Sequence, residues 1–305
     1  MILVDDAVPE LDGIARSEAM AGRLLCDDGE AGRRGFGDAG SAERRRVLRE
    51  TLAAFEGCQP PDRYHRLASA NLARWKSASP PSDLGSTVQV IPGDWGEVTH
   101  ALTKEYGACF AVLNMANSHV PGGAYVEGAV AQEENMFRRT DCHFRIEARH
   151  LTDTGFYVPA MTALLCAENG QVYCDSRNPR VCIRARENRS AKDLGYAWLP
   201  EDDVFPFYEL RAAAQDLRDG SRFDENEARR RIAAQLETLR THGLRFVVLG
   251  AFGCGAFQNP GHRVARIYQQ EIAARQEHFT KIAFAIFSAG YGPGNFSPFA
   301  EVFGG

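Results

Sequence analysis

Apolar positions along the chain alternate between short continuous runs and stripes at helical spacing. Residues 109–113, 244–249 and 281–287 are continuous apolar runs of strand length, dense enough to be buried strands. Residues 87–91 are β-branched and end at Pro92-Gly93, which predicts a further strand, and 204–210 predicts one interrupted by Pro206. Between these runs, residues 96–106, 223–242 and about 260–278 have the spacing of amphipathic helices, with Ile232, Leu236 and Leu239 on one face of the second. Arg229–Arg231 reads as the solvated face of that helix. Strand, helix, strand in succession predicts parallel strands joined by crossovers.

The flanks read differently. Residues 1–40 carry no sustained apolar period and read as a flexible or loosely packed segment. Residues 41–86 form a helical extension: Ser41 is a candidate N-cap, Val47, Leu48, Leu52 and Phe55 form a stripe, and a second helix covers 63–76. Residues 87–305 read as the main domain, with an insertion at about 155–203. Within it, 156–158, 164–166 and 172–174 read as short strands, the last two joined in a hairpin by Asn169-Gly170. Residues 291–296 read as a turn and 299–303 as a short closing helix.

Composition narrows the class. The 305 residues, 44% hydrophobic and 25% charged, are those of a globular protein, and the net charge of −5 argues against a general nucleic-acid-binding surface. The N-terminal residues lack the basic and apolar regions of a signal peptide, and no apolar run reaches the length of a membrane span. A soluble cytoplasmic monomer is expected, with secretion by a route without a signal peptide left open. Eight cysteines without a CxxC pair, several of them in apolar runs, read as reduced thiols, and no His/Asp/Glu spacing suggests a metal.

Chemistry concentrates after two of the predicted strands. The run at 109–113 gives way to Asn114, Asn117 and Ser118, then to Pro121-Gly122-Gly123-Ala124, then to a helix-compatible segment from about 129 to 139 that opens with Gln132-Glu133-Glu134. Bare backbone at glycines and a helix start together attract anions without lysines. The run at 244–249 is followed by Gly250-Ala251-Phe252-Gly253-Cys254-Gly255-Ala256-Phe257 and another helix, repeating that logic. Two such loops at the ends of two strands converge on one ligand at the carboxyl edge of a sheet. Two adjacent acids beside a phosphate pocket serve another part of that ligand, or are simply an exposed helix turn with Glu134 paired to Arg138.

Gly122-Gly123-Ala124, seven residues, then Gln132-Glu133-Glu134 resembles the GGG…QEE signature of the microbial-type poly(ADP-ribose) glycohydrolases of the macrodomain superfamily. Asn114–Asn117, Arg138-Arg139, the RETL helix at 49–52 and the loop at 250–257 are similar to that family too, so the resemblance spans roughly 41–303. It implies a macrodomain-like three-layer α/β/α mixed sheet with an N-terminal helical extension. It also implies an ADP-ribosyl hydrolase that acts on poly(ADP-ribose), a glycosidase without a cofactor. In that reading Glu134 is the general acid and Glu133 holds the ribose. Asn117 faces the distal ribose, Gln132 supports the loop or the ribose hydroxyls, and the diphosphate rests on the glycine loops, Gly122-Gly123-Ala124 and Gly253-Cys254-Gly255-Ala256-Phe257, with Phe257 placed to pack against a ribose. Asp94 is a turn residue or, with Trp95, an adenine contact. Ala124 departs from the third glycine, and a position there that needs a positive φ would shift the site. Removal of single ADP-ribose units from ADP-ribosylated proteins or nucleic acid, and an ADP-ribose reader without catalysis, stand as alternatives.

Overall fold

The structure, a computed structural model, describes residues 40–78, 87–288 and 294–304. Residues 1–39 of the expected flexible segment and residues 291–293 of the turn at 291–296 lie outside the described residues.

The apolar runs form the middle of a mixed sheet ordered β1-β7-β6-β2-β5-β3. The strands are β1 (Thr87–Pro92), β2 (Ala111–Met115), β3 (Tyr173–Cys174), β4 (Arg180–Cys182), β5 (Phe205–Ala212), β6 (Phe246–Leu249) and β7 (Lys281–Ile286). β1, β7, β6, β2 and β5 pair in parallel, and β3 and β4 pair antiparallel along the outer edge of β5. β7 is buried along its whole length, whereas β1, an edge strand with Thr87 and Gln89, alternates between exposed and half-buried.

Crossover helices cover both faces, as the three-layer expectation requires. One face carries α6 (Glu225–Thr241), α7 (Gly261–Ala273) and α8 (Phe296–Phe303), packing Ile232, Leu236, Tyr268 and Phe299 onto Leu113, Val247 and Phe284. The other carries α1 (Ser41–Glu56), α3 (Trp95–Tyr106) and α4 (Gln132–Arg139), packing Leu48, Val98 and Phe137 onto Val112, Val248 and Ala283. The neighbours Val247 and Val248 thus serve opposite layers, the two-residue period of a strand. α2 (Arg63–Ala78) and α5 (Pro159–Leu165) complete the helices named here.

Several local expectations are corrected. Ser41 is the first residue of α1 rather than its N-cap: Arg44 N–H donates to Gly40 O at 3.0 Å, which makes Gly40, with no side chain to cap with, the N-cap. Residues 164–166 do not form a strand: Pro159 opens a helix, where its missing N–H costs nothing, and Ala167 at φ 61° ends it. Asn169-Gly170 therefore joins a helix to β3 rather than two strands of a hairpin. Pro206 sits inside β5 without interrupting it, since pairing with β2 begins only at Tyr208. Arg231 is buried, its Nη1 donating to Ala213 O at 2.7 Å. α4 starts at Gln132, later than expected, and Ala131 before it is extended.

Beneath the carboxyl edge of β5 lies a charge cluster that no motif announces. Glu209 accepts from Arg211 Nε (2.9 Å) and Nη2 (2.9 Å), from Arg180 Nε (3.0 Å) and from Asn114 Nδ2 (2.8 Å), all buried. Arg180 also reaches Asp175 (3.1 Å), and Arg211 reaches the Tyr157 hydroxyl (2.8 Å). Burial pushes the Glu209 carboxyl up, but Arg211 and Arg180 together bring it down to about 2 from an ordinary 4.5. Asp141, held by His65 and Arg145, likewise falls to about 2 from 3.8. Carboxyls lowered by folding stabilise the protein above their unfolded values and lose that contribution as pH falls toward the folded ones. Unfolding free energy should therefore decline as pH drops from about 4.5 to about 2. Glu209→Gln should cost about 3–5 kcal/mol in chemical denaturation at neutral pH, because it leaves two buried guanidinium groups short of a counter-charge.

Candidate active site

The β2–β6 ladder ends at Val112↔Val248, so the last part of β2 diverges from its neighbour. Gln132 fills that gap: its Oε1 accepts from Met115 N–H (2.9 Å) and its Nε2 donates to Leu113 O (2.9 Å). Both ends of the amide are used on the strand, so Gln132 staples the start of α4 to the tip of β2 rather than facing the cavity with its polar atoms. The next two residues, Glu133 and Glu134, are then held against the loop that follows β2.

Glu133 is 3% exposed and Glu134 9%. Asn117 N–H donates to Glu133 Oε2 (2.7 Å) and Ala124 N–H to Glu134 Oε1 (3.1 Å). The Asn117 side chain caps its own turn, accepting from His119 N–H (2.8 Å) and Val120 N–H (2.9 Å). Gly123 has φ 60°, and a Cβ there would meet Glu134 Oε1 at 2.3 Å and Glu133 Oε2 at 3.2 Å. Only glycine lets the loop lie this close to both acids. Gly122, at φ 71°, packs against the Tyr125 and Phe137 rings instead. Ala124 does not have a positive φ, so its methyl brings no backbone strain.

Burial raises both acids. Glu133 stands well above the ordinary carboxylate range, through desolvation first and then the charge of Glu134. Glu134 is raised by desolvation, against hydrogen bonds from its own and the Ala124 backbone. Among the described residues Glu133 Oε1 has no hydrogen-bond partner although it is buried. A buried acceptor without a partner is rare enough to mark a place where a ligand polar group belongs.

The acids sit in a cavity of about 950 Å³ at the carboxyl ends of the parallel strands. The second glycine loop supplies the facing wall. Gly253, at φ 72°, packs against Ala214 and Asn259, and Asn259 Nδ2 donates to Gln215 O (2.7 Å) and Gly253 O (3.1 Å), which fixes the loop. Gly253, Gly255, Ala256 and Phe257 line the cavity, as do Asn117, Gly123, Ala124 and Gln132. Cys254 does not: its side chain packs into the core, and burial pushes its thiol up to about 12. Gly122 also stays out of the lining.

Asp94 is the N-cap of α3, accepting from Gly96 N–H (2.9 Å) and Glu97 N–H (3.3 Å), and it pairs with the buried Arg139 (2.6 Å). It borders the cavity together with Trp95. The helical extension meets the site from behind: Thr51 Oγ1 donates to Arg138 O on α4 (2.7 Å), and Gly128, at φ 82°, leaves room for the Ser41 carbonyl. Phe156, Arg218 and Phe287 also line the cavity. The sequence placed Phe156 and Phe287 in predicted strands and gave Arg218 no role, so their place in the site is legible only once the strand ends are assembled.

Two substitutions test the loop geometry through stability alone. Gly123→Ala should lower the unfolding free energy by about 1–2 kcal/mol for the left-handed backbone, with a further loss from the displaced carboxylate. Ala124→Gly should change it by less than about 1 kcal/mol, since no strain is relieved. Chemical denaturation of the two variants beside the parent chain checks both.

Residues 48–157 match the family model described as microbial-type PARG, catalytic domain. None of the curated proteins matches the chain. Among solved structures, poly(ADP-ribose) glycohydrolase from Thermomonospora curvata superposes with a TM-score of 0.60 at 22% identity, covering 86% of this chain and all of that one. The same enzyme bound to the inhibitor ADP-HPD gives 0.60 at 23%. Poly(ADP-ribose) glycohydrolase from Deinococcus radiodurans in complex with ADP-ribose gives 0.53 at 19%, covering 79% and 91% of the two chains. The resemblance to the microbial-type poly(ADP-ribose) glycohydrolases therefore holds in sequence over residues 48–157 and in fold over most of the chain.

Proposed function

We propose that this chain is an ADP-ribosyl hydrolase that cleaves the ribosyl glycosidic bond of poly(ADP-ribose) and releases ADP-ribose. The observation that carries the reading is the pair of buried, raised carboxyls, held by the backbone of one glycine loop and facing a second across a large cavity. A non-catalytic reader has no need of two buried acids that folding raises above the ordinary carboxylate range. The Deinococcus structure was solved with ADP-ribose, which is the ligand these loops suit.

In this reading the diphosphate lies over the glycine loops. Among the described residues the N–H groups of Gly255, Ala256 and Phe257 donate to no protein acceptor, which leaves them for phosphate oxygens. The distal ribose sits between Phe257 and the loop at 117–124, and the unpartnered Glu133 Oε1 takes one of its hydroxyls. Glu134 then gives its proton to the leaving oxygen as the bond from that oxygen to the anomeric carbon breaks, through an oxocarbenium-like state. A water oxygen bonds to the anomeric carbon and its proton passes to the Glu134 carboxylate, which restores the acid. Free ADP-ribose and a shortened chain with a free hydroxyl are the products. ADP-ribosylated proteins are the macromolecules on which such polymer is carried.

Glu134→Gln should lower turnover of poly(ADP-ribose) by roughly 10²–10⁴-fold while ADP-ribose still binds. The parent enzyme should lose activity as pH rises through the raised value of the acid, because only the protonated form donates. Release of ADP-ribose from polymer, followed by chromatography across pH, checks both. Release from mono-ADP-ribosylated protein but not from polymer would move the substrate class, and binding without release from either would leave a reader.

A further inference from the structure

The strand order sets a direction along the cavity. At one end stand Asp94 and Trp95, after β1, and Phe287, after β7; the glycine loop after β6 and the acids after β2 follow. The same cavity is lined by Ala214 and Arg218 from the segment after β5, which folds back onto the β6 loop, and by Thr154, Gly155 and Phe156, whose neighbour Tyr157 is bonded to Arg211 of β5. An ADP-ribose unit whose distal ribose meets Glu133 and Glu134 and whose diphosphate lies on the β6 loop occupies the β1-to-β2 part. The β5 end is then where the leaving group departs.

That end is built for something particular. Phe156 is 50% exposed, an unusual position for a phenylalanine, and its backbone is fixed: Thr152 N–H donates to Phe156 O (2.8 Å), Phe156 N–H to Thr152 Oγ1 (3.2 Å), and Tyr157 N–H to His119 O (2.8 Å). Arg218 stands over the Phe257 ring at 5.0 Å, and Leu217 N–H donates to Phe257 O (3.2 Å), so its loop is tied to the phosphate loop. Among the described residues its guanidinium pairs with Asp216, which is two residues away and about as exposed as Arg218 itself. A pair so close to solvent contributes little, and a phosphate can displace the carboxylate at small cost.

Resting on the proposed function, we infer that Phe156 and Arg218 form a subsite for the leaving ADP-ribose unit of the polymer, the ring stacking on its adenine and the guanidinium pairing with its diphosphate. A purine face and a dianion match an exposed aromatic and a guanidinium that line one cavity, whereas a serine, glutamate or arginine side chain of a modified protein offers no purine face. The polymer is thereby the substrate for which the β5 end is shaped.

The test uses Glu134→Gln, which should bind without cleaving, and calorimetric titration with ADP-ribose and with its dimer. The dimer should bind roughly tenfold tighter than the monomer, and Phe156→Ala or Arg218→Ala in that background should remove most of this advantage. Monomer affinity and a thermal melt report whether each variant is folded. A dimer that binds no tighter than the monomer, or an advantage that survives both substitutions, would overturn the subsite and leave the hydrolase reading standing. Failure of Glu134→Gln and of the parent chain to bind ADP-ribose at all would overturn the hydrolase reading, and the subsite with it.

Discussion

A carboxyl raised above its ordinary range is kept from water, set close to another charge of its own sign, or both. Both conditions are costly, and the structure around Glu133 and Glu134 is arranged to sustain them. Desolvation raises both, and Glu133 feels the charge of Glu134 as well. Backbone N–H groups from Asn117 and Ala124 hold one oxygen of each, which fixes their direction without neutralising them as a salt bridge would. Gly123 is the point on which this turns, since any side chain there would occupy the space of the Glu134 carboxylate.

The wider fold keeps that arrangement rigid. The end of β2 leaves its neighbour and is completed by the Gln132 amide, so the acids sit at the junction of strand and helix rather than on a free loop. α1 braces α4 from outside through Thr51, and the glycine loop after β6 is locked by Asn259. Beneath them, Glu209 joins Arg180 and Arg211, and Arg211 also holds the Tyr157 hydroxyl beside the Phe156 turn. Core packing, a buried ionic cluster and the cavity wall therefore share residues.

Much of this was legible in the sequence because its signals are local. Continuous apolar runs at β2, β6 and β7, and helical stripes between them, gave the parallel centre of the sheet and its crossovers. Glycines beside a pair of acids gave the first loop, and three glycines after the β6 run gave the second. What stayed hidden depends on assembly. Residues 164–166 look like a strand, but Pro159 starts a helix just before them, and a proline one residue earlier or later would read much the same. Cys254 looks like part of a phosphate loop, yet the backbone turns its side chain into the core. Gln132 looks like a ligand contact, and its role as a staple appears only when the β2–β6 ladder is seen to stop short. The cluster around Glu209 draws on β2, β4 and β5, which no sequence window brings together.

The claim on which the account rests is that the acid pair retains a proton above the ordinary carboxylate range. Carbon-13 NMR of protein labelled at the glutamate carboxyls, titrated beside Glu133→Gln and Glu134→Gln to assign the two signals, tests it most directly. The account predicts at least one of the two carboxyls still protonated well above the ordinary value of 4.5. Two carboxyls that both ionise at or below that value would contradict it.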